Sequence, residues 1–392
     1  MPRVALFTDT FNEANGVATL SRHLVQFARN RQLPFLAVYG GNETRYRKDG
    51  CVEMLELRRG AASFPVDKTL YFDPFLTRHK QLVLERLQAF KPDLVHLTGP
   101  GDIGFLAVLL AHTQQLVSVA SWHTNLHEYL ARRLDRLVHF APEAVRTGMA
   151  QVVEKQTLRA LVRFYKSARF VLAPNQEMVD LLRERNGRPA FLMRHGVDLT
   201  QYSTAARPRR EEPFCIGYVG RLTTEKNVRR LAEMERTLQA AGERNYKFLI
   251  VGEGGQQEWL AGNLRNVEMT GVLRGDELAA AYQQMDAFVF PSLTDTFGLV
   301  ILEAMASGVP VLLSPEAGER VGVKDGVSGF LSQDFTAGLR RLMHDPELSE
   351  AMGRAARQFA LSQSWDGVFE DLYETYAEGW RREVKAPVLV AG

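Results

Sequence analysis

The chain has 392 residues, 45% of them hydrophobic and 24% charged, which is length enough for two to three globular domains and fits neither a disordered chain, a coiled-coil rod nor a small disulfide-stapled scaffold. Lys and Arg number 48 against 46 Asp and Glu, a net charge of +2, so there is no global field for a nucleic acid, and any polyanion must be met by a local patch. The cysteines Cys51 and Cys215 fall in different halves without metal-ligand spacing, as expected of a reducing cytoplasm. Asp9 follows the first apolar run too soon for a signal-peptide core, and the longest mostly apolar stretch, residues 299–315, carries Glu303 and Pro310. A cytoplasmic protein without a transmembrane helix is expected.

Along the first half, apolar runs with strand character at residues 4–7, 35–39, 94–97, 117–120 and 170–173 alternate with helix-period stretches such as 17–29 and 75–90. That alternation predicts a parallel sheet wrapped by helices. Residues 207–213, Arg-Pro-Arg-Arg-Glu-Glu-Pro, have no apolar residue and read as an interdomain linker. The pattern then restarts, with strands at 215–219, 248–251, 287–290 and 309–312 and helices near 227–241, 276–284 and 299–306. The expected architecture is α/β, with two Rossmann-like domains at residues 1–200 and 201–365. A last helix, near 368–380 within the segment 366–392, is expected to cross back to the first domain. Ligands of parallel α/β sheets bind beyond the carboxyl ends of the strands, so two such domains facing each other would define one cleft.

Chemistry is therefore sought in strand-exit loops. After the first strand, Asn15-Gly16 leads into a helix. Gly16 allows close backbone approach and helix-start amides attract anions, while Asn15 reads equally well as an ordinary N-cap. The second domain opens with Gly220-Arg221-Leu222, and Lys226 stands at the mouth of the next helix. Arg221 by its fork of donors and Lys226 as a point charge can neutralise a diphosphate; the other reading is a pair of solvated cations, which would oppose the helix dipole. The run Gly252-Glu253-Gly254 begins like a dinucleotide fingerprint but has Gln257 where the third glycine belongs, and no G-x-x-x-x-G-K-[ST] loop exists. Both points weaken a kinase-like or dehydrogenase reading.

Residues 291–310 say most. Asp295 lies on a strand-exit loop, Phe297, Gly298 and Leu299 begin a helix with exposed amides, and Glu303 sits one turn in among Ile301, Leu302, Met305 and Ala306. A carboxylate in that setting needs a partner; beside a ligand-facing role, a buried ion pair is a better alternative than a solvated face. In the first domain Ser121-Trp122-His123 follows a strand, where His123 would overlook the cleft or be satisfied within its loop; His127 is the weaker substitute.

The stretch from Asp295 to Glu303, with Phe297-Gly298 inside it and Ala304-Met305-Ala306-Ser307-Gly308-Val309-Pro310-Val311 after it, resembles the E-x7-E signature of the family 4 retaining glycosyltransferases, proteins of GT-B fold. Gly220-Arg221-Leu222 with Glu225-Lys226-Asn227 is similar to the same family's diphosphate site, His195-Gly196-Val197-Asp198 to its Asn-Gly-Val-Asp segment, and Asn15-Gly16-Val17 to its Gly-Gly-Val loop with the first glycine lost. Asp295 departs from the signature's first Glu and shortens its reach by one methylene; His195 departs from the usual Asn. The resemblance implies that Glu303 accepts hydrogen bonds from a nucleotide ribose and that Asp295 and the amides at Phe297, Gly298 and Leu299 hold the donor sugar. It also implies that Gly220, Arg221 and Lys226 hold the diphosphate, that Gly16 borders the donor, and that His123 stands against the sugar.

The expected activity is transfer of a hexose from a UDP- or GDP-hexose to a hydroxyl with retention of configuration, the leaving diphosphate taking the acceptor proton while the protein supplies positioning and charge. No cofactor is expected, and no metal, because the chain contains no D-x-D pair. A non-catalytic nucleotide-sugar-binding module is the rival reading, an oxidoreductase the third. The acceptor is read from residues 130–170, where nine cations face three acids, a local +6. Leu126, Leu130, Leu134 and Leu137 recur at helical spacing with Arg132, Arg133 and Arg136 largely off that stripe. Either the arginines are simply solvated, or the helix docks on anionic lipid and the acceptor is a membrane lipid; a soluble saccharide or small molecule is the alternative acceptor.

Overall fold

The structure, a computed structural model, describes residues 1–13, 15–67, 70–123, 125, 130, 134, 143–204, 213–292, 295 and 297–385. The chain divides into two compact units, Met1–Arg194 with Trp365–Gly392, and His195–Ser364. The linker residues 207–212 lie outside the described residues, as do Leu126, His127, Leu137 and the three arginines Arg132, Arg133 and Arg136.

The first unit is built on β1 (Val4–Thr8), β2 (Phe35–Gly41), β3 (Arg45–Asp49), β4 (Val52–Arg58), β7 (Leu94–Leu97), β8 (Val117–Ser121), β9 (Phe170–Ala173) and β10 (Ala190–Leu192), with β5 (Phe64–Asp67) and β6 (Leu70–Phe72) as a separate hairpin. The large sheet runs β10-β9-β8-β7-β1-β2-β4-β3. Its central strands are continuous apolar runs, Val4 to Phe7 being wholly buried, because helices cover both faces. One expectation needs correction: the sheet is not all parallel, since β3 pairs antiparallel with β4. The Arg45-Tyr46-Arg47-Lys48-Asp49 strand is fully exposed, so it has no apolar alternation to betray it, and its charges suit an unpaired edge. The helix expected over 75–90 is a 3₁₀ turn, Leu76–His79, running into a helix, Lys80–Phe90.

The chain's last helix, Trp365–Lys385, belongs to this first unit and packs on the helix Gly16–Asn30. Trp365 stacks on His23 with ring centroids 5.0 Å apart, and Phe27 meets Phe369 at 5.6 Å and Tyr373 at 5.8 Å. Aromatic contacts of this kind add to the area they bury.

The second unit has one six-stranded parallel sheet of β11 (Phe214–Val219), β12 (Tyr246–Val251), β13 (Val267–Gly271), β14 (Ala287–Phe290), β15 (Val311–Leu313) and β16 (Gly329–Leu331), in the order β13-β12-β11-β14-β15-β16. This is the Rossmann order 3-2-1-4-5-6, whose direction of winding reverses between the first and fourth strands. Loops leaving β11 and β14 therefore diverge to opposite faces and open a crevice at their carboxyl ends. In the first unit β1 and β7 hold the equivalent central position.

Candidate active site

In the second unit the reversal point gathers the residues singled out by sequence. β11 ends at Val219 and is followed by Gly220, whose φ of 150° is open chiefly to glycine, and β12 exits through Gly252, where a Cβ would stand 2.0 Å from the Gly220 carbonyl oxygen. The two turns are laced by Gly220 N–H to Val251 O (3.0 Å) and Leu222 N–H to Glu253 O (2.9 Å). The glycine-rich run 252–255 is thus a packing device that braces the Arg221 turn.

Lys226 closes a 3₁₀ turn, Thr224–Lys226, and Asn227 follows with φ 54°, so the next helix begins only at Arg230. The expected start at 227, and with it the conflict between Lys226 and the helix dipole, is corrected. The ammonium of Lys226 donates to the Asp295 carboxylate in a close ion pair whose side chains are 16% and 23% exposed. Burial pushes the Asp295 carboxyl up, but Lys226 beside it, with Ser292 and Arg221, more than reverses this and holds it below the ordinary carboxylate value. Arg221, 45% exposed, reaches Glu225 at 4.0 Å, and Arg320 donates to the Asp295 backbone carbonyl at 3.0 Å.

The helix Leu299–Ala306 is opened by Gly298 at φ 83°, where a Cβ would press on Ile301 and Phe290. Ahead of its first intrahelical bond, Ile301 N–H to Gly298 O, the amides of Leu299 and Val300 lie at the positive end of the helix. Phe297 is buried and stacks on His195 with centroids 4.7 Å apart. Glu303 follows one turn in. Its partners are two phenols and not the cation of the alternative ion-pair reading: Tyr282 donates to Oε2 at 2.8 Å and Tyr202 supplies a second hydrogen bond. Burial raises the Glu303 carboxyl to about 7, against these two hydroxyls. Near neutral pH the group is poised between charged and neutral forms.

In the first unit Asn15 caps the helix Gly16–Asn30 by accepting from Ala18 N–H at 2.9 Å, and Gly16 is the first helical residue. The reversal point between β1 and β7 holds an acidic pair that sequence reading passed over. Asp9 accepts from Ile103 N–H (3.0 Å), and Arg59 grips Asp102 by two bonds, 2.9 and 3.0 Å, while donating to the Asp9 carbonyl. Burial first and the neighbouring Asp102 second raise the Asp9 carboxyl to about 7, with Arg59 opposing. His123 follows β8; its Nε2 lies 2.6 Å from Ser121 Oγ, and burial lowers the imidazole to about 4, so it is neutral at physiological pH. Tyr202, Tyr282, Asp9, Asp102 and Arg59 carry no spacing signal, because each meets its partner across a long stretch of chain.

Two Rossmann-like units, the second with cations and two acidic residues at its reversal point, define a GT-B type glycosyltransferase. The pattern of Glycosyltransferase Family 4 matches residues 14–201 and that of Glycosyl transferases group 1 matches residues 203–359. A GDP-mannose-dependent alpha-mannosyltransferase of Mycolicibacterium smegmatis is 31% identical over 316 residues, 76% of this chain and 77% of that protein. The sulfoquinovosyl transferase SQD2 of Arabidopsis thaliana is 28% identical over 333 residues, 78% of this chain; the alignment spans only 60% of that longer protein. Among solved structures, sucrose-phosphate synthase from Thermosynechococcus elongatus superposes with a TM-score of 0.72 at 18% identity, covering 97% of this chain and 99% of that one. The chain belongs to glycosyltransferase family 4, and it is an enzyme of the glycosyltransferase class. Among the described residues no helix is long and apolar enough to cross a membrane.

Proposed function

We propose that the protein transfers a hexose from a nucleotide-diphosphate sugar to a hydroxyl acceptor with retention of anomeric configuration. The observation that carries the reading is the reversal point of the second sheet, where the loop after β11 presents Arg221 and Lys226 and the loop after β14 presents Asp295, Gly298 and the Leu299–Ala306 helix. Lys226 keeps donors beyond the one given to Asp295, so it can hold a diphosphate while its carboxylate partner anchors it. Arg221 is exposed enough to fold onto the same phosphates. Charge developing on the leaving diphosphate is then met by two cations and the amides of a helix start, with no reorganisation at the moment of bond breaking. Glu303, one turn further, takes the ribose hydroxyls, and Asp295 the sugar; His123 is assigned to the sugar by the family resemblance. The donor is a UDP- or GDP-hexose, and transfer proceeds without a metal or cofactor.

The acceptor is proposed to be a lipid-linked hydroxyl. Support comes from the +6 of residues 130–170 and from the described part of that stretch, the helix Glu143–Tyr165, where Val145, Met149 and Val152 stand exposed at helical spacing. Each cation near an anionic surface is worth about 1 kcal/mol, and Arg132, Arg133 and Arg136 would contribute. A soluble saccharide is the second acceptor.

A thermal-shift panel of UDP, GDP, ADP and NAD tests the donor class. Stabilisation by UDP or GDP and not by NAD, followed by slow hydrolysis of the matching sugar donor, is expected; stabilisation by NAD alone, or nucleotide binding without turnover, refutes it. For the acceptor, more protein should co-sediment with anionic than with neutral vesicles at low salt.

A further inference from the structure

The first unit contains a buried chain of polar groups whose last member is His123. The hydroxyl of Tyr376, on the helix Trp365–Lys385, lies 2.6 Å from His96 Nδ1. His96, on β7, places Nε2 2.8 Å from Ser121 Oγ at the end of β8. Ser121 Oγ in turn lies 2.6 Å from His123 Nε2. Tyr376 and His96 are wholly inaccessible to solvent and Ser121 is 1% exposed.

Each link taken alone can run in either direction, because imidazole nitrogens donate or accept according to tautomer and a serine hydroxyl rotates. The far end favours one direction, which leaves the last proton on the buried His123 Nδ1 as the donor offered to the sugar. Burial raises the Tyr376 phenol well above its ordinary value, so it keeps its single proton. Among the described residues His96 Nδ1 is the hydrogen-bond partner of that hydroxyl, and a buried O–H left undonated is costly. Tyr376 therefore donates to Nδ1. His96 is neutral, burial and then the neighbouring His123 having lowered it to about 3, so its proton is on Nε2 and goes to Ser121 Oγ. The serine proton is thereby turned to His123 Nε2, which accepts it, and the proton of the neutral His123 ring is on Nδ1.

We infer that Tyr376, His96 and Ser121 are positioning residues that fix His123 as the Nδ1–H tautomer and hold its ring for the transfer reaction. The part of this that concerns transfer rests on the assignment of His123 to the donor sugar made above; the proton order does not. The inference gives the last helix a task besides covering the helix Gly16–Asn30. The residue that sets the direction of the relay is 280 positions from the histidine it reaches first.

The test uses the full chain labelled with ¹⁵N-histidine. Two-bond ¹⁵N–¹H correlation spectra are expected to show His123 protonated on Nδ1 and bare on Nε2, with His96 protonated on Nε2. Tyr376→Phe keeps the ring and removes the donor, and a mixture of His123 tautomers should follow. A wild-type spectrum with His123 protonated on Nε2 overturns the relay, and this result needs no variant that folds. An unchanged His123 signal in folded Tyr376→Phe also overturns it.

Turnover of UDP-glucose and GDP-mannose, whichever is hydrolysed, supplies the second readout. In Tyr376→Phe and Ser121→Ala, kcat should fall about tenfold, the weight of one hydrogen bond, with KM within twofold of wild type, and Ser121→Thr should restore it. If Tyr376→Phe scrambles the tautomer and leaves kcat unchanged while His123→Ala abolishes turnover, the positioning claim fails. If His123→Ala itself retains wild-type kcat, the assignment of His123 to the sugar fails, and with it the positioning role; the proton order stands or falls on the spectra alone.

Discussion

Replacing Glu303 by Gln separates stability from donor binding. The carboxyl is raised from 4.5 to about 7, which means its ionised form costs about 3 kcal/mol more in place than in water. That cost is offset only when something donates to the charged group, as a ribose diol would beside Tyr282 and Tyr202. A carboxyl whose folded pKa is raised contributes stability that is fully present below its unfolded value and lost as the pH rises through about 7. Glu303→Gln removes that loss, so the ligand-free variant should melt at or above the wild-type temperature at pH 8 and converge with it near pH 5. Donor binding should move the other way. An amide oxygen accepts a neutral rather than a charge-assisted hydrogen bond, a loss of about 1.5–3 kcal/mol, or roughly ten- to a hundredfold in Kd. In the wild type, affinity for UDP or GDP should rise with pH through about 7 as the carboxylate forms, whereas in Glu303→Gln it should stay flat. Isothermal titration at pH 5.5, 7 and 8, with melting curves at the same pH values, measures both halves. Wild-type affinity in Glu303→Gln at pH 8, or a wild-type affinity indifferent to pH, would refute the placement of a ribose on this carboxylate.

Lys226→Met should weaken UDP or GDP binding at least tenfold and cost about 2 kcal/mol of stability, between the values for surface and buried pairs, because Asp295 is left half-buried without its cation. Since the Asp295 carboxyl is held below its ordinary value, the stability of the pair is present above the unfolded carboxylate pKa and lost as the pH falls through the folded one, so acid melting curves of wild type and variant should converge. Asp9→Asn mimics the protonated acid and keeps an acceptor for Ile103 N–H; with Asp9 raised to about 7, the variant should gain melting temperature over wild type at pH 8 and lose that advantage toward pH 5, and an equal shift at both pH values would contradict a raised Asp9 carboxyl. Transfer should survive EDTA; loss of activity that Mg²⁺ or Mn²⁺ restores would show that the two cations are not sufficient for the leaving diphosphate.

The elements legible in the sequence are those whose burial is written in local pattern. The strands at Leu94–Leu97, Phe170–Ala173 and Ala287–Phe290 and the helix Leu299–Ala306 lie where their apolar runs put them, because a strand covered on both faces reads as a near-continuous apolar run. Asp295 and Glu303 were singled out from the stretch resembling the family's signature, and Arg221 and Lys226 from the Gly220–Asn227 turn; the structure brings Lys226 onto Asp295. The exposed edge strand Arg45–Asp49 was not, since charge on a solvent-facing strand looks like charge on a loop. Nor did the sequence contain the partners of its own candidates. That Glu303 would meet Tyr282 and Tyr202 rather than a cation, that Asp295 would take Lys226, and that Tyr376 would reach His96 were decided only when strand order and helix packing brought distant segments together. Periodicity reports how a segment divides between core and water, a property of neighbours along the chain. Proton positions and ion pairs depend on which groups meet in space, and in this protein Tyr376 and His96 are 280 residues apart.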